Sequence, residues 1–275
     1  MNNPTAEQAP TTPSEAPPIK APENESALAN LAIPLGESVL KLQIEGNTLL
    51  YGIVQRNRAV TAQSDFFRVQ FRGYARNIGQ AWSPVSDEDS HFQNNRNCAW
   101  ARVDHPSRSI TFGPKAGISI SERLHSPGLD EFLFATVISW ARHAYPDYSA
   151  SPGMVTIPAN ATEEERLRKQ SFYAKQGFEF EWKDESQRSG LYYKDKTNRL
   201  IGVCDNPQVV EFGGEAMLQT LIKQDEEQKS LEARMAKIES MNNAVHQALE
   251  KERHTAQALM VVLVVVLLIG LWAML

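Results

Sequence analysis

Tyr173 is the residue whose chemistry raises the first question. It lies four residues before Gly177 in the stretch RLRKQSFYAKQGFEFEW, residues 166–182, where a basic helix is predicted to end at the glycine and a strand to follow. A tyrosine hydroxyl can act as a general acid, and a tyrosine ring can also simply pack a helix onto a sheet. The stretch alone leaves both roles open.

The cysteines, histidines and net charge argue against several other classes of function. Cys98 and Cys204 are far apart and lack CxxC spacing, so we predict two reduced, buried thiols rather than a disulfide or a metal site. The six histidines form no HxxxH or HExxH pattern, and we predict no metal site. The formal net charge of −5 gives no reason to expect a nucleic-acid partner.

Composition divides the chain into four segments. Residues 1–30 are polar and rich in proline, and they are predicted to be a disordered leader because they carry too little apolar surface to offset their ordering entropy. Residues 31–212 have a globular pattern, residues 215–254 are charged and lack glycine and proline, and residues 255–275 contain no charged residue. The N-terminus lacks a basic and apolar signal, so we expect the globular part to stay in the cytosol.

The globular segment shows strand patterns first and helix patterns later. Apolar residues alternate in SVLKLQIEGNTLLYGIV, which predicts a β-hairpin. In residues 126–148 apolar residues recur at helical spacing up to Pro146, and Thr162 with Glu165 has the spacing of a capping box for a second helix. We therefore predict an α/β domain, a mixed sheet with flanking helices.

The stretch FFRVQFRGYA, residues 66–75, has two interpretations. Its apolar and basic residues alternate, which predicts a strand with one solvated, cationic face. Arg68, Arg72 and Arg76 also recur every four residues, which is the spacing of a helical patch facing an acidic substrate or lipid headgroups. Both interpretations stay open at this point.

Residues 215–254 carry an imperfect heptad pattern. Eight of twelve alternating d and a positions are apolar, and Asn242 lies at an a position, where a polar residue commonly fixes the register of a parallel dimer. We predict a coiled-coil helix and a homodimer, and a single helix lying on the globular domain is the alternative. The twelve positions are Met217, Leu221, Gln224, Gln228, Leu231, Met235, Ile238, Asn242, Val245, Leu249, Glu252 and Ala256.

Residues 255–275 are predicted to be a transmembrane tail anchor. Twenty-one uncharged residues at ~1.5 Å each span ~30 Å as a helix, which matches the bilayer core. Lys251, Arg253 and His254 precede the stretch, so the positive-inside tendency places the N-terminal domain on the cytosolic side of a single-pass membrane protein. If the protein is bacterial, we expect the inner membrane.

The opening stretch also carries a family resemblance. SFYAKQGFEF, residues 171–180, resembles the helix-then-strand motif of the GNAT superfamily of N-acetyltransferases, in which an aromatic pair is followed by Lys-x-Gly-Phe. The motif support covers residues 118–182, and the order of elements is similar over residues 35–205. The resemblance implies a mixed sheet that splays open between its central strands and seats acetyl-CoA or another acyl-CoA in the gap. AGISISE would be its fourth strand and MVTIPAN its fifth.

The resemblance also implies roles for individual residues. Tyr173 would be the general acid that reprotonates the CoA thiolate, and Glu122 would be a base for the substrate amine, although Glu122 also fits a solvated carboxylate at a strand end. The start of the helix after Ser126 would take the pyrophosphate on its free N–H groups. The residues expected to bind the cofactor are Arg123, Ser126, Gly128 and Leu129.

The phosphate loop departs from the family pattern Arg/Gln-x-x-Gly-x-Gly/Ala. In HSPGLDEF, Asp130 occupies the second small position, His125 replaces the first residue, and Pro127 removes one N–H donor. Two unit charges ~5 Å apart at an effective dielectric of ~20 repel by roughly 3 kcal/mol, about a hundredfold in affinity. This loop therefore opposes an anion unless Arg123 or Lys115 compensates.

Three functions follow from these patterns. The first is a membrane-tethered enzyme that transfers an acyl group from acyl-CoA to an amine. The second is a non-catalytic GNAT-like binding or scaffold module that its coiled coil dimerises at the cytosolic membrane face. The third is a tail-anchored adaptor of unrelated α/β fold, for which the motif match would be chance.

Overall fold

The computed structural model describes residues 24–44, 48–78, 81–93, 95–115 and 117–274. Within these ranges the chain forms an α/β domain followed by one long helix, and it divides after Phe212 into two compact units. The strands are β1 (Ile33–Ile44), β2 (Thr48–Val60), β3 (Ser64–Ile78), β4 (Ala81–Pro84), β5 (Cys98–Asp104), β6 (Ser109–Gly113), β7 (Ser149–Thr156), β8 (Glu179–Trp182), β9 (Ser189–Lys194) and β10 (Val209–Phe212). The helices are α1 (Glu25–Leu31), α2 (Leu129–Ala144), α3 (Glu163–Ala174) and α4 (Gly214–Met274).

The ten described strands form one mixed sheet. Their order is β10-β1-β2-β3-β5-β6-β7-β9-β8, and β4 pairs with the distal part of β3. All pairings are antiparallel except that of β6 with β7, which α2 connects as a crossover. α3 then connects β7 to β8. The predicted mixed sheet with flanking helices is therefore present.

The one parallel pairing is short. Only Ser109 with Ser149 and Ile110 with Ala150 are in register, although β6 continues to Gly113 and β7 to Thr156. The pairing of β6 with β7 is therefore limited to the amino-terminal ends of the two strands.

The main core lies between α2 and one face of the sheet. The apolar stripe predicted for α2 is buried there, with Leu129, Leu133 and Val137 at 0% exposure. From the sheet, Phe67 stacks on Trp140 with ring centroids 4.7 Å apart. Fully burying a side chain of this size contributes roughly 1.5–3 kcal/mol, so packing, and not local propensity, holds α2 in place.

The ends of α2 and α3 follow from local chemistry. Gly128, with φ at 91°, precedes the first residue of α2, and the helix ends before Pro146. The predicted capping box of α3 is present, because Thr162 and Glu165 exchange side-chain and backbone hydrogen bonds of 3.2 and 2.8 Å. Gly177, with φ at 85°, lies after α3 and turns the chain into β8.

The first helix, α1, lies inside the segment predicted to be disordered. Asn24 accepts a hydrogen bond from a first-turn N–H at 2.8 Å, and Leu28 is fully buried in a small cluster with Trp100. The prediction is therefore wrong for residues 24–30, because one cap and one buried leucine are enough to dock this short helix. Residues 1–23 lie outside the described residues.

The predicted strand AGISISE is not a strand over its described part, residues 117–122, and its last residue begins a 3-10 turn. Buried Asn97 takes up its hydrogen bonds. The Asn97 side chain accepts from the Ser121 N–H at 2.8 Å and donates to the Ser121 hydroxyl at 3.1 Å, and its backbone N–H donates to the Ser119 carbonyl at 2.7 Å. Asn97 thus supplies hydrogen bonds that a neighbouring strand would otherwise make. The strand that lies beside β7 is β6, and not AGISISE.

The arginine-containing stretch 66–75 belongs to β3, so its helical interpretation is wrong. The predicted solvated cationic face is also wrong in part, because Arg68 is only 8% exposed. A register shift near Gly52 places Arg76 opposite Leu50, a residue of the α2-side core. Arg68 and Arg76 therefore lie on opposite faces of the sheet.

The second unit consists of α4, one uninterrupted helix of 61 residues. It contains the whole predicted heptad segment 215–254 and runs on through the apolar stretch. Its described side chains are almost all exposed. Among the described residues α4 is the one helix that is long and apolar enough to cross a membrane.

Candidate functional site

A cavity of about 410 Å³ lies beside α3, at the segments that follow β6 and β7. Its walls come from the segment after β6, the first turn of α2, the segment after β7 and one face of α3. Tyr173 is part of the α3 wall. The charged and aromatic side chains that line the cavity are Asp130, Glu165, Arg168, Lys169, Phe172 and Tyr173.

Tyr173 is buried in an aromatic cluster at this cavity and is 6% exposed. Its ring stacks on Tyr192 with centroids 4.2 Å apart and meets Phe134 edge-on at 5.7 Å. Burial raises the pKa of Tyr173, and a hydrogen bond with the Tyr192 hydroxyl lowers it in part. Tyr173 is therefore a protonated phenol at neutral pH, which suits a general acid and not a base.

Tyr192 fixes the position of Tyr173. Burial and then the neighbouring Tyr173 raise the pKa of Tyr192, while the interaction with the Tyr192 hydroxyl lowers the pKa of Tyr173 in part. Tyr192 itself lies against Gly153, where a Cβ atom would be 2.2 Å from its ring, so only glycine fits at that position of β7.

A second cavity of about 540 Å³ lies at the start of α2. Glu122 and Gly128, both predicted site residues, line it, and Tyr173 does not. The two cavities share walls formed by Asp130, Arg168 and Phe172. The structure thus places the predicted acid and the predicted base in neighbouring cavities.

The other predicted cofactor residues are engaged within the protein. Ser126 is buried and donates its hydroxyl to the Gln43 carbonyl at 3.4 Å, and the Leu129 N–H donates to the Ser126 carbonyl at 3.3 Å. Arg123 is exposed and lines neither cavity, and its carbonyl accepts a hydrogen bond from Arg76. The structure therefore brings only Gly128 of this group to a cavity wall.

The first turn of α2 offers few free donors to an anion. The Asp130 carboxylate accepts the Glu131 N–H at 2.9 Å, which removes a donor and adds a negative charge at the same point. Glu122 and Glu131 line the same cavity as Asp130. The two carboxylates in the first turn of α2, Asp130 and Glu131, favour helix stability over anion binding, as the sequence indicated, and Glu122 adds a third negative charge to the cavity.

Basic residues of α3 and of the turn after it lie at the cavities. Arg166 pairs with Glu163 at 2.5 Å. Arg168, in contrast, lines both cavities, and Lys175 lines the second. Lys115, one of the two predicted compensating cations, lies at a different cavity. The spacing of Arg168, Phe172 and Lys175 is the feature of the sequence that could have predicted this, because it places the three residues on one face of α3.

The candidate site contains acidic, basic and aromatic side chains. No cluster of three or more His, Cys, Asp or Glu side chains that could hold a metal ion occurs among the described residues. Cys98 is buried and Cys204 half-buried, both as free thiols, and burial raises the pKa of each.

No protein-family model, curated protein or solved structure matches the chain.

Proposed function

We propose that this protein is a membrane-tethered N-acyltransferase with a GNAT-like domain, acting on an amine with acyl-CoA as the acyl donor. The observation that carries the proposal is the cavity walled by Tyr173, which lies at the segments that follow β6 and β7, two strands whose pairing is short. The resemblance of SFYAKQGFEF to the GNAT motif implies an opening between AGISISE and MVTIPAN. Because AGISISE is not a strand, the opening would instead lie between β6 and β7. The acyl-pantetheine arm would enter between the two strands.

The residues at the cavities suit the proton transfers of this reaction. When the amine nitrogen attacks the thioester carbonyl carbon, the C–N bond forms, the C–S bond breaks and the thiolate leaves. The Tyr173 hydroxyl would give its proton to the sulfur, and the Glu122 carboxylate would accept a proton from the amine. Tyr192 would position Tyr173 through the stacking of their rings, whose centroids are 4.2 Å apart.

The phosphates of CoA need cations, and α3 would supply them. Arg168 faces both cavities and Lys175 the second one, so both can reach an anion that bridges them. Lys169 is less free, because its ammonium already donates to the Thr156 carbonyl at 2.8 Å. The phosphate site would therefore lie along α3 and not at the start of α2.

Calorimetry of the full chain in detergent micelles with acetyl-CoA tests this proposal. We expect heat of binding and a thermal shift that both disappear in Arg168→Gln and persist in Arg166→Gln, a neighbouring arginine occupied by its ion pair with Glu163. Absence of heat and of any thermal shift at millimolar acetyl-CoA would rule out the acyltransferase.

A non-catalytic binding module is the second candidate, and Asp130 is the observation that favours it. Its carboxylate lies in the walls of both cavities and occupies a donor of α2. In Asp130→Asn the side-chain oxygen can still accept the Glu131 N–H while the charge is lost. If wild type fails to bind acetyl-CoA and Asp130→Asn binds it, the second candidate replaces the first. Glu164→Gln, at an exposed position of α3, is the control.

We further propose that residues 255–275 anchor the protein in a membrane with the N-terminal domain on the cytosolic side. The continuous apolar helix and the cations before it support this orientation. Removing residues 255–275 should move the protein to the soluble fraction. A protease added to sealed vesicles or spheroplasts should spare the N-terminal domain, and digestion there would reverse the orientation.

We also propose that residues 215–254 form a homodimer through the heptad seam. The seam residues Leu231, Met235 and Ile238 are 58–66% exposed on α4. An apolar stripe with heptad spacing on a single helix is buried most simply by a second copy of the same helix. The dimer would hold two cytosolic domains at one membrane site.

A further inference from the structure

The cavity beside α3 has one end that adjoins the second cavity and one end that lies away from it. Asp130, Arg168 and Phe172 line both cavities, so they mark the end where the two adjoin. Ile157 and Ala161 line the first cavity and not the second, so they lie at its far end. A ligand that enters from the second cavity therefore reaches Ile157 and Ala161 last.

The charged side chains away from the second cavity are bound to the backbone. Among the described residues, Glu165 and Lys169 are the charged ones that line the first cavity and not the second. The Glu165 carboxylate accepts the Thr162 N–H at 2.8 Å in the capping box of α3, and the Lys169 ammonium donates to the Thr156 carbonyl at 2.8 Å. Because these charges are engaged at the ends of α3 and β7, the apolar side chains beside them are the walls that a ligand meets.

The apolar walls at the far end are held in place by the backbone. Ile157 is 5% exposed, and its N–H donates to the Arg188 carbonyl at 2.8 Å. The Ala161 N–H donates to the Pro158 carbonyl at 3.1 Å, which closes the turn before α3. Walls that are fixed in advance bind an apolar group at little cost for ordering them.

The direction of the proposed donor sends its acyl group to this far end. The phosphates of CoA would lie at Arg168 and Lys175, which line the second cavity, and the thioester would lie at Tyr173 in the first. The acyl chain continues from the thioester away from the phosphates, and so toward Ile157 and Ala161. An acetyl group ends in a methyl directly after its carbonyl carbon, so it leaves these apolar walls without a contact.

We propose that the acyl donor is a medium-chain acyl-CoA such as octanoyl-CoA, with its chain against Ile157, Pro158 and Ala161. This inference rests on the proposed acyltransferase function and names the chemical class of its donor. The class follows from the apolar walls beyond Tyr173 and from the cavity volume of about 410 Å³, which falls within the ~300–1,000 Å³ typical of small-molecule sites.

Calorimetry of the full chain in nanodiscs with octanoyl-CoA and with acetyl-CoA tests the inference. We expect octanoyl-CoA to bind at least about tenfold more tightly than acetyl-CoA. Each fully buried methylene contributes up to about fourfold in affinity, so burial of only a few of the additional methylenes is enough. Octanoyl-CoA also partitions into lipid, so each titration is referenced to empty nanodiscs.

Substitution at Ala161 locates the acyl chain. Ala161→Phe fills the far end of the cavity and should lower the affinity for octanoyl-CoA at least about tenfold. The affinity for acetyl-CoA should stay unchanged, because the acetyl group ends before this wall, and its retained binding shows that the variant is folded. Ala159→Phe is the control, at an exposed position of the same turn that does not line the cavity, and it should leave both affinities unchanged.

Two results would overturn the inference while the acyltransferase function stands. The first is binding of acetyl-CoA to the wild type with octanoyl-CoA binding no more tightly, a comparison that needs no variant. The second is an equal loss of octanoyl-CoA affinity in Ala161→Phe and Ala159→Phe. Absence of binding by both thioesters would instead remove the proposed function, and the inference with it.

Discussion

The phenol rings of Tyr173 and Tyr192 stack with their centroids 4.2 Å apart and their planes 21° apart. This contact joins α3 to β9 at the cavity that follows β6 and β7. Burial raises the pKa of both phenols, so both are protonated at neutral pH. The packing role and the acid role of Tyr173 are therefore compatible, and they can be separated by substitution at the two positions.

Replacing either tyrosine by phenylalanine separates the two roles. Both variants lose one buried hydrogen bond, which costs about 1 kcal/mol of unfolding free energy. Tyr173→Phe should also reduce acyl transfer by roughly 10²–10⁴-fold, the usual contribution of a general acid, whereas Tyr192→Phe should retain most of it. Steady-state kinetics and urea unfolding of the full chain measure both effects. Equal activity in the two variants would leave Tyr173 with a packing role only.

Alkaline pH should destabilise the folded domain through its buried phenols. Burial raises the pKa of Tyr173 and Tyr192, and burial together with the hydrogen bond to Asp65 raises the pKa of Tyr145 to about 12. In the unfolded chain these groups ionise near pH ~10, so above that pH the unfolded state loses protons that the folded state keeps. Stability is then complete below pH ~10 and falls as the pH rises toward 12.

Absorbance at 295 nm and thermal unfolding between pH 8 and pH 12 measure this loss. The three phenols should ionise later than the other tyrosines, and they should ionise at once when the domain unfolds. Tyr145→Phe should remove one of the late groups and flatten the decline of stability with pH. A domain whose stability does not change over this interval would contradict the assignment of raised pKa values.

Asp65 should be a strong determinant of stability. Its carboxylate is fully buried and accepts hydrogen bonds from Arg58 at 2.6 Å and from the Tyr145 hydroxyl at 2.5 Å, which ties β2 and β3 to the end of α2. Removing this carboxylate leaves the Arg58 guanidinium and the Tyr145 hydroxyl without their acceptor. Asp65→Ala should therefore lower the free energy of unfolding by about 2–4 kcal/mol. The loss should be smaller than for a fully buried ion pair, because Arg58 is partly exposed.

Asp147→Ala provides the comparison for Asp65→Ala. Asp147 pairs with Lys196 at 3.3 Å, and both side chains are about half exposed. This surface pair should contribute no more than ~0.5 kcal/mol. Urea unfolding of both variants gives the difference, and similar losses in the two would show that the buried cluster contributes little.

The sequence alone was enough to predict the elements whose signals come from neighbouring residues. The apolar stripe of α2, the capping box at Thr162 and the glycine stop at Gly177 all depend on residues within one or two turns, and each is present in the structure. The hairpin of β1 and β2 follows in the same way from alternation of apolar residues. The uncharged C-terminal stretch likewise forms a continuous helix that could cross a membrane.

Features that depend on distant partners could not be predicted in this way. AGISISE and SITFG have similar alternation, and in the structure the Ser121 N–H and hydroxyl of the first stretch bond to the buried side chain of Asn97 and not to a neighbouring strand. The docking of α1 likewise depends on contacts between Leu28 and distant residues such as Trp100. Arg168 was not predicted as a site residue for the same reason. The helix α3 has basic residues on several sides, and only its packing brings Arg168 to the cavity.

Self-association of α4 should depend on the heptad seam and not on apolar surface in general. Ile238 lies on the seam and Met241 beside it, and the two are similarly exposed, at 66% and 60%. A charge at a seam position is buried in the dimer without a partner, whereas a charge beside the seam stays in water. Ile238→Glu should therefore shift the full chain in micelles toward monomer at least about tenfold in dissociation constant, and Met241→Glu should leave it unchanged. Sedimentation equilibrium or cross-linking measures the two constants, and equal effects of both variants, or a wild-type monomer, would contradict the proposed dimer.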